Sequence, residues 1–152
     1  MNNHLFLIQS KKKKNMNTLE LSNYLTGIMQ MASSLSNNIG PSYINVECYE
    51  KEKFAEEFCR EYKITDQDLD IEIANRNLIT ALFSWFGNEK QIVDSIVYWF
   101  NLKCKEKKTI YLPSEKLMNK ISKKENFFYY LEDVLFIESE KNYIVLYLGN
   151  NE

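Results

Sequence analysis

The chain has 152 residues, 45% of them hydrophobic and 26% charged, which suits one globular core and is too apolar for a wholly disordered chain. Its 19 basic and 21 acidic side chains leave a net charge of −2, so no overall field recruits nucleic acid or anionic lipid. Four scattered glycines (Gly27, Gly40, Gly87 and Gly149) and one histidine, His4, argue against a phosphate-cradling loop and leave a serine or cysteine nucleophile without a ready base.

Residues 1–15 read as a disordered extension and 16–152 as a single domain. The apolar stretch Leu5–Ile8 is too short for a signal peptide, and Lys11–Lys14 follow it instead of preceding it. No run approaches the ~18 apolar residues of a membrane span. Cys48, Cys59 and Cys104 are an odd number, expected as buried, reduced thiols in a cytoplasmic protein.

Along the chain, Leu21, Leu25, Ile28, Ala32 and Leu35 recur at helical spacing, predicting a helix over 17–38 that Thr18 caps and Gly40-Pro41 stops. Ile44, Val46 and Cys48 alternate with Asn45 and Glu47, which predicts a strand at 43–49. A helix at 50–62 aligns Phe54, Phe58 and Tyr62, with Glu50 and Glu52 in its first turn. Residues 66–74 suit either a strand with one acidic face or the lead-in to a helix.

A helical pair follows at 75–86 and 89–104, with Gly87 ending the first and Asn88 capping the second. Ile92, Val93, Ile96, Val97, Trp99 and Phe100 cover a wide face of the second helix. A short strand is expected at 109–112, then a helix opened by Pro113 and Ser114 and running to about Ser122. A β-meander over 127–131, 134–138 and 143–148 closes the chain. In its last strand Ile144, Leu146 and Leu148 oppose Val145 and Tyr147, so that strand should be covered on both sides. The fold class is α+β, with the N-terminal and central helices packed against a mainly antiparallel sheet that ends in the C-terminal meander.

Motifs for chemistry are sparse, and no cofactor or metal is expected. The cysteines and His4 show no closely spaced ligand pair of the kind zinc sites use. Asp66, Asp68, Asp70 and Glu72 alternate in a way that could gather oxygen ligands for a hard cation. Read as a calcium loop, however, this run places Ile71 where glycine belongs and Asn77 where the last glutamate belongs. Glu106-Lys107-Lys108, with Asp94 upstream, has the short E-x-K pattern of metal-dependent nucleases, but lysine outnumbers arginine 17 to 2 and such runs arise by chance.

Charge segregation carries more information. Residues 47–72 hold ten acids against four bases, a balance of −6, and residues 103–124 hold eight lysines against two acids, a balance of +6. Each segment could steer a partner of opposite sign, or the two could attract each other within the fold.

The reading favoured by elimination is a small non-enzymatic protein-binding module. It would be a stoichiometric inhibitor or immunity-type protein occluding a macromolecular target through Glu56, Glu57, Asp66, Asp68, Asp70 and Glu72. The alternative is a nucleic-acid-binding or regulatory domain using the lysine-rich segment 103–124, with contacts from Lys107, Lys108, Lys120 and Lys123 and stacking by Tyr129 and Tyr130. A third option is a carboxylate-metal hydrolase built on Asp68 and Asp70, with Glu72 as a further ligand. The expected partner is another protein, with a nucleic acid or a second copy of the chain as further options and no membrane.

Overall fold

The computed structural model describes residues 17–36, 40–87, 89–104, 108–125 and 130–150; the expected extension at 1–15 lies outside them. The described chain runs α1 (Thr18–Leu35), β1 (Tyr43–Glu50), α2 (Phe54–Tyr62), β2 (Ile71–Ile73), α3 (Leu78–Phe86) and α4 (Lys90–Lys103), then β3 (Thr109–Pro113), α5 (Glu115–Glu125), β4 (Tyr130–Glu138) and β5 (Asn142–Asn150). The strands make one antiparallel sheet in the order β1-β5-β4-β3-β2, and the chain forms the expected single α+β domain.

The alternation in β5 generates the layers. Ile144, Leu146 and Leu148 point to one face, where they join Leu21, Leu25 and Met29 of α1, Leu82 and Phe86 of α3, and Val93, Ile96 and Phe100 of α4. Val145 and Tyr147 point to the other face, against Phe54, Phe58 and Tyr62 of α2 and Leu117 and Ile121 of α5. All five strand residues are fully buried, as an apolar run in a central strand requires. The α1 side is mainly aliphatic. The α2 side is aromatic, with Phe54 stacked on Tyr143 at 4.3 Å between ring centroids and Phe58 within 5.4 Å of Phe136.

Several boundaries depart from the sequence expectation, each for a physical reason. Asn17 caps α1 in place of Thr18, its side chain accepting from the Glu20 N–H at 2.8 Å, and the helix ends at Leu35 instead of residue 38. The buried stripe is Leu21, Leu25, Met29 and Ala32, while Leu35 is 68% exposed; the 3.6-residue turn carries the core line off a strict seven-residue spacing. The acidic run is part turn and part strand, with a 3-10 turn at Asp66–Asp68 before β2. Asn77 caps α3 by accepting from the Thr80 N–H at 2.9 Å, so this helix starts later than residue 75. The expected Asn88 cap lies outside the described residues.

Instead of separate strands at 127–131 and 134–138, one strand, β4, runs from Tyr130 to Glu138; residues 127–129 of the expected first strand lie outside the described residues. A bulge between Leu131 and Asp133 lets Leu131 and Val134, three residues apart, share the aromatic face, because one extra residue reverses the side-chain alternation. Asp133 there accepts two bonds from Arg76 at 3.0 and 3.2 Å and one from the Trp85 indole at 3.1 Å. The C-terminal unit is therefore the β4–β5 hairpin, extended across the sheet by β3.

The two edges of the sheet are treated differently. Along β1, the Thr26 hydroxyl accepts from the Val46 N–H at 3.0 Å and lies 3.2 Å from the Val46 carbonyl, while Ser22 Oγ accepts from the Cys48 N–H at 2.8 Å. From its place on the face of the sheet, helix α1 thus reaches over the edge and bonds the Val46 and Cys48 groups that would otherwise template association. At the opposite edge β2 is only three residues long.

Candidate functional site

The six predicted carboxylates do not form one patch. Glu56 and Glu57 start α2 beside β1, whereas Asp70 precedes β2 and Glu72 is its middle residue, at the far edge of the sheet. Glu56 pairs with Arg60 at 2.9 Å on the exposed helix surface. Glu57 lines a cleft of about 350 Å³ with Glu47, Glu61 and Tyr49 between α1, α2 and the end of β1. In that cleft the Tyr49 hydroxyl stands 2.8 Å from Glu47 and 3.1 Å from Glu61. Burial first, and the two carboxylates next, push its pKa well above the ordinary phenol value.

Asp68 has turned inward. Its carboxylate accepts from Lys120 at 3.0 Å, pairs with Lys116 at 3.4 Å, and closes a capping box with Thr65. The Lys120 hydrogen bond, seconded by the Thr65 backbone, holds the Asp68 carboxyl far below the usual carboxylate range. On the same side Lys124 pairs with Glu61 at 3.6 Å and sits over the Tyr62 ring. Segments 47–72 and 103–124 therefore attract each other within the fold through α2, the Asp66–Asp68 turn and α5.

This internal pairing is one-sided. Lys116, Lys120 and Lys124 all face carboxylates, Lys108 donates to Asn101, and Lys103 lies over the Tyr24 ring. Lys123 is exposed, whereas Lys107 and Tyr129 lie outside the described residues, as do Glu106, His4 and Lys11–Lys14. The Tyr130 backbone pairs with Asn150 at the end of β4. By contrast Glu57, Asp66, Asp70 and Glu72 have no cation partner among the described residues.

Among the described residues no three side chains of metal-ligand type stand together, so Asp68 and Asp70 do not converge with a third ligand. Asp94 pairs with Lys90 along the exposed side of α4. No helix of the described residues is long and apolar enough to cross a membrane.

One surface was missed by sequence reasoning. Met31 of α1 is 61% exposed and Tyr98 of α4 is 59% exposed; Leu35 of α1 and Trp99 and Leu102 of α4 are exposed as well, and Tyr98 packs edge-on against Trp99. Tyr24 packs edge-on against Trp99 at 6.3 Å across the helix pair. The available signal was the breadth of the apolar pattern on α4: Val93, Ile96 and Phe100 already fill the side facing the sheet, which leaves Trp99 for solvent.

No protein-family model matches the chain, and neither does any curated protein or solved structure.

Proposed function

We propose that the protein is a non-enzymatic protein-binding module, of the stoichiometric inhibitor or immunity type, which covers a basic surface on a macromolecular target. The observation that carries this reading is the one-sided use of charge. The fold engages most of its described α5 lysines internally, while Glu57, Asp66, Asp70 and Glu72 keep their charge facing solvent. Unpaired exposed carboxylates steer a cationic partner and set the salt dependence of its approach. The same observation weighs against the lysine segment as a phosphate-binding strip, since each engaged lysine must first leave a carboxylate or a ring.

The test is affinity co-purification of the full chain from native extract, with and without nuclease, beside the variant Asp66→Asn/Asp70→Asn/Glu72→Gln. Asp68 is left intact because it serves the fold. The expected result is a nuclease-resistant, stoichiometric protein partner that the variant loses at low salt. A partner held equally by the variant, or one that disappears with nuclease, would overturn the reading.

A further inference from the structure

We infer that the open edge of β2 is a strand-addition site for an extended basic segment of a partner protein. This rests on the reading above and names the partner chemistry for the Asp70–Glu72 part of it.

The ladder phase identifies which groups face outward. Ser114 N–H donates to the Asp70 carbonyl and Ala74 N–H to the Ile110 carbonyl, both at 2.8 Å. In an antiparallel pair alternate residues share the hydrogen bonds, so Asp70, Glu72 and Ala74 face β3. The N–H and C=O groups of Ile71 and Ile73 point away from it. Among the described residues nothing bonds to these outward groups. The other edge of the sheet, along β1, is met by the Ser22 and Thr26 hydroxyls.

The side chains specify what fits. Asp70 and Glu72 lie on one face of this edge, exposed and without a cation. Ile71 and Ile73 lie on the other, with Ile73 69% exposed. Directly opposed cross-strand pairs interact through side chains on the same face. An incoming strand that alternates basic and apolar residues sets its cations against the two carboxylates and its apolar groups against the isoleucines. A second copy of this edge would bring carboxylate against carboxylate, so the site disfavours self-pairing while admitting a basic strand.

The probe is a short synthetic peptide alternating lysine and valine, titrated at low salt into the full chain with amide resonances followed by NMR. Binding should shift the Ile71 and Ile73 amides and slow their hydrogen exchange. Methylating the peptide amides that face β2 keeps the charge but removes the donors, and should weaken binding about fivefold per lost bond. Ile73→Pro removes an outward N–H without touching the β3 ladder, and should have a similar effect with the melting temperature little changed.

If the methylated peptide binds as well as the parent while Asp70→Asn/Glu72→Gln weakens both, strand addition is overturned and the broader charge reading stands. Shifts confined to residues away from β2, or no binding of either peptide, also overturn it. The co-purification experiment then judges the protein-binding reading separately.

Discussion

On the α1 side of the sheet, mainly Leu, Ile, Val and Met side chains mesh without directional bonds, and the polar contacts lie around them, where Ser22 and Thr26 meet β1 and where Asp133 meets Arg76 and Trp85. On the α2 side, rings stack at fixed angles and a buried hydroxyl pair, Tyr62 to Tyr147 at 2.8 Å, crosses the layer from helix to sheet. Around that layer, ion pairs fasten α5 to Glu61 and to the Asp66–Asp68 turn. Both layers exclude water equally well, but one depends on volume and the other on shape, hydrogen-bond geometry and charge. They should therefore fail in different ways.

The largest contrast should come from substitutions in the two cores. Phe58→Leu, which keeps an apolar side chain but removes a ring that contacts Phe54, Tyr62 and Phe136, should cost more than about 1.5 kcal/mol in urea melts. Leu82→Met, a near-isosteric change in the aliphatic layer, should cost less than about 1.5 kcal/mol. Equal losses in the two would erase the distinction.

The next effect concerns the guarded edge. Ser22→Ala with Thr26→Val removes the acceptors of the Cys48 and Val46 N–H groups, and should lower stability by roughly 1–3 kcal/mol for each donor left dry. Hydrogen exchange should accelerate at Val46 and Cys48 before it does at Val145. Tyr147→Phe deletes the buried hydroxyl pair and should cost about 1 kcal/mol. A Tyr147→Phe protein as stable as the parent would show that the hydroxyls contribute orientation alone.

The smallest effect is a pH dependence. The Asp68 carboxyl is held below its ordinary value chiefly by Lys120, and Glu138 is also lowered, because bonds from Tyr143, Tyr111 and Lys51 outweigh its burial. A depressed carboxyl stabilises the fold above its unfolded pKa and loses that contribution as acid protonates it. Stability should therefore fall from about pH 5 downward. Asp68→Asn should flatten part of this fall, and thermal melts across that range check it. An unchanged acid profile would mean that the α5 ion pairs are solvated in practice.

Much of this architecture was legible locally. The alternation of Ile144 to Leu148 announced a strand covered on both sides, and the Phe54, Phe58, Tyr62 spacing announced the helix that covers one of them. The bulge at Glu132-Asp133 was legible only as a break, because one inserted residue mimics a turn in a period-two pattern. The pairing of Asp68 with Lys120 had no local signature at all. The two residues are 52 positions apart, and an alternating acidic run looks the same whether it faces solvent or lysines. For the candidate site, the residue types were visible, but which of them remain unpaired is a property of packing.

Helix α1 has one more consequence, a kinetic one. Cys48 lies beneath it with its thiol buried and its pKa pushed up to about 12, mainly by that burial. A thiol in this state resists alkylation until the cover lifts, because the thiolate is the reacting species. The rate at which reagent marks Cys48, located by peptide mapping, therefore counts how often α1 leaves the sheet. The chain carries its own stopwatch for the motion that would bare its longest edge.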